Sequence, residues 1–212
     1  MQPGDTVLLD AGSTVLTLAR ALEVRPLSVV TNSPDIARVF EADPEVKLTV
    51  TGGQWDRRSR HVTGSATVAV LARYRADRTF LGACVLAPNT GATSVSAGYA
   101  DVRTAMARAA RRTVVLADGS KHDTVAPHLV LPPGGIDLLV TEDEAAAAGA
   151  TPACRSCSRH PPIRTPPLPP PDVWGPGQDG GRQASLSAGA AAVRIEVKVA
   201  PRASATDDGS SR

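Results

Sequence analysis

Aromatic side chains are scarce: Phe, Tyr and Trp make up 3% of the 212 residues, against 42% hydrophobic residues overall. Any core must therefore be built from Val, Leu and Ala. Only three cysteines are present, without the spacing of a disulfide framework, so a reducing, cytoplasmic setting is expected. No apolar run approaches the roughly 20 residues that span a bilayer, so no membrane partner is expected. Met1-Gln-Pro-Gly-Asp5 lacks the basic and apolar regions of a secretory signal. A net charge of +2 does not by itself indicate a nucleic-acid surface. The length suits one domain with an appendage.

What is present begins with Val7-Leu-Leu-Asp-Ala-Gly-Ser-Thr14, followed at once by Val15-Leu-Thr-Leu-Ala-Arg-Ala-Leu22. A strand-like run ends in Asp10, a Gly-Ser-Thr turn follows, and Leu16, Ala19 and Leu22 then recur at helical spacing. Free N–H groups and the positive end of the dipole make such a helix start suitable for an anion such as phosphate. A turn that merely caps the helix has the same appearance.

Composition changes near Ala150. Residues 1–150 alternate β-branched strands with Ala/Arg-rich helical segments. Residues 151–212 form a Pro/Gly/Arg-rich tail that includes Pro161-Pro162, Pro166-Pro167 and Pro169-Pro-Pro171. Such a segment buries too little apolar surface to offset its ordering entropy and is expected to be extended or disordered. Val193-Arg-Ile-Glu-Val-Lys-Val199 alternates like a strand, and is read as an accident of composition rather than an edge strand.

Within 1–150 the expected strands are Thr6–Leu9, Leu27–Thr31, Lys47–Thr51, Arg78–Leu81, Thr113–Ala117 and Asp137–Thr141. Expected helices are Ser13–Leu22, Pro34–Glu41, Gly64–Tyr74 and Asp101–Arg112. This alternation predicts an α/β fold, a mainly parallel sheet with helices on both faces. Ligands of such sheets sit at the carboxyl ends of the strands, near a topological switch point. Asp10–Thr14, Thr31-Asn-Ser33, Gly52-Gly53 and Asp118-Gly-Ser-Lys121 all fall at those ends, and their convergence marks one candidate site.

These segments, with Gly64, Ala76-Asp-Arg-Thr-Phe-Leu-Gly82, Gly91-Ala-Thr93, Asp101-Val-Arg-Thr-Ala-Met106 and Ile136-Asp-Leu-Leu-Val-Thr141, occur in an order that resembles one family. It is the C-terminal effector-sensing domain of DeoR-type bacterial transcriptional repressors, over roughly residues 4–145. The resemblance implies a fold similar to ribose-5-phosphate isomerase and the glucosamine-phosphate deaminases, no cofactor, and a phosphorylated sugar or related metabolite as effector. It assigns Asp10, Gly12, Ser13 and Thr14 to the first phosphate-sugar loop. Thr31 and Asn32 would hydrogen-bond sugar hydroxyls, and Gly52 and Gly53 would form a turn where bulk closes the pocket. Asp118 belongs to the loop in which Lys121 would pair with the ligand's charge. Arg103 stands where the family more often has Lys, which keeps the charge but changes reach and donor geometry.

The related isomerases carry an Asp-Gly-Ala-Asp-Glu segment where this chain reads Leu81-Gly-Ala-Cys-Val85. Leu81, Cys84 and Val85 supply no general base for proton transfer between sugar carbons. A sensor is therefore expected rather than an enzyme; the alternatives are a sugar-phosphate isomerase or deaminase, or an inert truncated remnant. Cys84 reads as a buried structural thiol.

Repressors of this type read operator DNA through an N-terminal helix-turn-helix domain, and nothing upstream of Pro3 could form a recognition helix. Operator DNA is thus expected as a partner only through a missing domain, with a homo-oligomer or a mixed oligomer with intact relatives as the assembly. Family members normally close with a short helix and one more strand. Here Thr141-Glu-Asp-Glu144 runs into the Pro/Arg-rich tail, as a shifted reading frame would produce. The basic clusters Arg57–His61 and Arg108–Arg112 read as solvated charges, and His61 and His128 show no partners. Cys154-Arg-Ser-Cys157 with His160 has half the ligands of a zinc site and is not taken as one.

Overall fold

The computed structural model describes residues 1–83, 85–118, 121 and 125–141, together with the backbone of 157–159. In chain order the strands are β1 (Thr6–Leu9), β2 (Leu27–Thr31), β3 (Val46–Val50), β4 (Gln54–Asp56), β5 (His61–Thr63), β6 (Arg78–Gly82), β7 (Val85–Ala87), β8 (Gly91–Ser94), β9 (Thr113–Leu116), β10 (His128–Leu131), β11 (Leu138–Thr141) and β12 (Cys157–Arg159). The helices are α1 (Ser13–Arg20), α2 (Pro34–Phe40), α3 (Ser65–Leu71) and α4 (Ala97–Arg108).

Seven strands form one parallel sheet in the order β12-β11-β9-β6-β1-β2-β3. Successive side chains along a strand point to opposite faces, and the core divides accordingly. Val7, Leu9, Val29, Phe80, Val114 and Leu116 pack with Val15, Leu16, Ile36 and Phe40 from α1 and α2. Leu8, Val30, Leu81, Val115 and Leu139 pack on the other face with Leu71 and Met106 from α3 and α4. Phe40 and Phe80 are the buried rings of these two clusters, with Tyr74 packed at the margin of one, so the interior is mainly aliphatic, as the composition requires.

The six expected strands of the main sheet are present within one residue at each end. Helices differ more. The fourth begins at Ala97 rather than Asp101, because the Ser96 hydroxyl caps it by accepting from the Tyr99 amide at 3.4 Å. The reading had no place for β4–β5, a two-stranded antiparallel hairpin, or for the three-stranded antiparallel sheet β10-β8-β7. β4, β5 and β7 are only three residues long, too short for a period of two to register, and β8 (Gly-Ala-Thr-Ser) has no large apolar side chain to mark it.

Of the expected tail only Cys157–Arg159 is described, and it pairs parallel with β11 from Leu139 to Thr141. The outer edge of β11 presents unpaired backbone groups, and an extended segment of almost any composition can satisfy them. The Val193–Val199 segment, Cys84, and the Cys154 and His160 of the rejected zinc pattern lie outside the described residues. Among the described residues no His, Cys, Asp or Glu group suits a metal ion, and no helix is long and apolar enough to cross a membrane.

Candidate functional site

The sheet reverses its order at β1: the chain builds outward through β2 and β3, then returns to place β6 on β1's other side. The two loops that part there are the switch-point crevice of an open parallel sheet. Asp10 leaves the end of β1 and Gly82 ends β6, and the Gly82 amide donates to Asp10 Oδ2 at 3.2 Å. The site is therefore centred on Asp10.

Asp10 is wholly buried. Arg103 on α4 donates its Nε to the same Oδ2 at 2.8 Å, and its side chain is only 5% exposed. Oδ1 is buried without a hydrogen-bond partner. Burial pushes the Asp10 carboxyl above the usual carboxylate range, while the charge and hydrogen bond of Arg103 and the Gly82 amide pull it back.

The next residue, Ala11, is held from two sides. Its N–H donates to Asn32 Oδ1 at 3.1 Å, and its carbonyl accepts the Tyr99 hydroxyl at 2.8 Å. Gly12 then caps α1 at φ +135°, a left-handed-side conformation that favours glycine. No side chain caps α1. Gly12 and Ser13 are exposed and Thr14 is half-buried. The first turn of α1 thus offers its amides outward, with the helix dipole behind them.

Tyr99 has a second set of contacts. Its ring stacks on His61 with centroids 4.1 Å apart and planes 16° from parallel. The Arg103 guanidinium carbon lies 3.8 Å from the same centroid. Two planar groups so close to one ring would overlap on a single face, so His61 and Arg103 occupy opposite faces. His61 is buried, with Nδ1 3.2 Å from the Ser59 carbonyl. His61 therefore has partners that the sequence did not reveal, and Tyr99 was missed. No local pattern could have paired them, because β5 and α4 meet only in the folded chain.

Thr31 and Asn32, expected to meet sugar hydroxyls, are engaged by the protein's own groups. Both are wholly buried. The Thr31 hydroxyl donates to the Leu9 carbonyl at 2.7 Å and accepts from the Ser33 amide at 3.0 Å. Asn32 uses Oδ1 on Ala11 and Nδ2 on the Val62 carbonyl at 3.3 Å. Their position at the end of β2 lets them clamp the neighbouring loop.

Gly53 is glycine for a reason other than pocket space. Its φ is +145°, and an added Cβ would stand 2.2 Å from Thr67 Oγ1 and 2.4 Å from the Thr63 carbonyl oxygen. Bulk there would collide with the hairpin's return strand and α3. Gly52 has open space, and its carbonyl accepts the Thr67 hydroxyl at 2.7 Å. Asp118 and Lys121 stand on the loop after β9, across β6 from β1 at the same end of the sheet. Lys121 N–H closes that turn on the Asp118 carbonyl at 3.0 Å. The basic cluster Arg57–His61 is resolved into the hairpin turn, where Arg60 grips Asp35 through two hydrogen bonds of 2.6 and 2.8 Å.

The sequence model of the DeoR C terminal sensor domain matches residues 1–143. The chain belongs to this family. The uncharacterized HTH-type transcriptional regulator YgbI of Escherichia coli is 32% identical over 144 residues, covering 68% of this chain and 56% of its own length. The HTH-type transcriptional repressor GlcR of Bacillus subtilis is 29% identical over 139 residues, covering 66% of this chain and 54% of its own. The chain spans about half the length of the curated relatives it matches. Among solved structures, ribose 5-phosphate isomerase A from Methanocaldococcus jannaschii is similar with a TM-score of 0.41 at 20% identity, covering 58% of this chain and 48% of its own. As a member of the family, this DeoR-type domain has a sensing role.

Proposed function

We propose that this DeoR-type sensor domain binds a phosphorylated sugar at the Asp10–Thr14 loop and holds it without transforming it. The uncapped first turn of α1 carries the reading: exposed amides at a helix start, on a loop clamped by Asn32, Tyr99 and Arg103. Such a turn suits a phosphate group, and Lys121 on the next loop but one can add a positive charge. Leu81, at the first of the isomerases' acidic positions, is packed in the core, which supports binding over proton transfer. In the wider repressor function, the domain would report effector occupancy to whichever helix-turn-helix domain acts with it. Val95, Val125 and Leu129, all strongly exposed beside the β8–β10 ladder, support association between copies.

The test is a thermal-shift panel of phosphorylated sugars on the intact chain, with Gly12→Ala and Lys121→Ala alongside. Gly12→Ala strains a φ of +135° and turns the amide cradle, so it should abolish the shift. Absence of any shift across a broad panel overturns the proposal. Turnover of a sugar phosphate by the intact chain would replace it with the isomerase or deaminase reading.

A further inference from the structure

Gly12 poses a question that its own backbone does not answer. Glycine adopts positive and negative φ with similar ease. Rotating the Ala11–Gly12 peptide by half a turn would carry Gly12 from φ +135° to about −45°, which is also allowed. The two states differ in function. In a trans peptide the carbonyl and the N–H point in opposite directions. In one state Gly12 offers its N–H at the start of α1; in the other the Ala11 carbonyl takes that place and would repel an anion.

The Tyr99 hydroxyl selects between them. Of the two acceptors within its reach, the Ala11 carbonyl at 2.8 Å and Asp10 Oδ2 at 3.4 Å, the carbonyl is the nearer and takes its proton from the α4 side, so the Gly12 N–H must face away from α4. A rotated peptide would break this bond. The ring that carries the hydroxyl is itself fixed, with His61 at 4.1 Å on one face and Arg103 at 3.8 Å on the other. Arg103 is in turn tied to Asp10, the residue before Ala11.

We propose that Tyr99 is the positioning residue of the effector loop: its hydroxyl holds the Ala11–Gly12 peptide with the N–H turned to the anion, and His61 acts through the Tyr99 ring. The role in binding rests on the reading of Gly12–Thr14 as an anion site; the role in setting the peptide does not.

The experiment uses the intact chain, labelled with nitrogen-15, and its Tyr99→Phe variant, which keeps the stacked ring and removes one oxygen. The three-bond coupling between the amide and α protons of Gly12 reports its φ without any ligand. Titration with inorganic phosphate reports anion affinity through the Gly12, Ser13 and Thr14 amide shifts. Tyr99→Phe should populate a second Gly12 conformation and weaken phosphate by roughly tenfold or more, with the melting midpoint little changed. His61→Phe preserves a stacking partner and should bind phosphate like the parent, whereas His61→Ala should lose several-fold. An unchanged Gly12 coupling together with unchanged phosphate affinity in Tyr99→Phe overturns the proposal. If the parent chain shows no phosphate shifts at Gly12–Thr14, the anion-site reading fails, and the ligand-free coupling still decides whether Tyr99 sets the peptide.

Discussion

Asp10 and Arg103 lie far apart in the chain yet form an ion pair buried on both sides, with Nε 2.8 Å from Oδ2. Each side chain on its own would be costly to bury; together they are tolerable because hydrogen bonds accompany the charges. The pair joins the end of β1 to α4 beneath the uncapped start of α1, so folding stability and the shape of the Asp10–Thr14 loop depend on the same contact.

Removing the guanidinium should therefore cost more at neutral pH than in acid. Arg103→Met leaves Asp10 buried without its counter-charge, a loss of about 3–5 kcal/mol. Asp10 already holds its proton more tightly in the folded than in the unfolded chain, and the variant strengthens that preference. The native state then binds the extra proton, so stability falls as pH rises from the ordinary aspartate value of about 4 upward. Urea unfolding at several pH values should show the Arg103→Met deficit shrinking toward the acid end. A deficit independent of pH would exclude Asp10 ionisation as its cause.

The glycine pair at the start of the hairpin should divide sharply. Gly53→Ala forces a side chain into φ +145° and against Thr67 and Thr63, with a cost of about 2–3 kcal/mol. Gly52→Ala meets nothing within 4 Å and should change stability by no more than about 0.5 kcal/mol. Thermal melts of the two variants decide this, and equal losses would refute the packing account.

Asn32→Ala should damage the loop without touching a ligand. It leaves the buried Ala11 N–H and the Val62 carbonyl each without the amide that now meets them, a penalty of about 1–3 kcal/mol. Hydrogen exchange at the Ala11 amide should accelerate in parallel with the loss in melting midpoint. Retained protection at Ala11 would show that another group had taken over.

Much of the fold was legible because its signals are local. Apolar runs of four or five residues bounded by Gly, Asp and Asn mark the parallel strands, and the sequence reading located them closely. The hairpin β4–β5 and the small sheet β10-β8-β7 were not legible: β4, β5 and β7 span three residues each, and β8 carries no large apolar side chain. His61 shows no partners in the sequence, yet it stacks on Tyr99, which lies 38 residues further along the chain. Thr31 and Asn32 were visible as polar residues at a strand end, but not their direction. Only the pairing of β1 with β2 turns Asn32 toward Ala11.

The α/β class, the family and the place of the candidate site are legible in the chain alone, because strand periodicity, turn chemistry and the Asp10–Thr14 motif are all local. Only the folded chain shows which of these polar groups are spent on the scaffold. That division depends on burial and on contacts between residues far apart in the chain. Folding tied Asn32 to Ala11, paired Arg103 with Asp10, and brought the Tyr99 hydroxyl, with His61 stacked on its ring, to the Ala11 carbonyl.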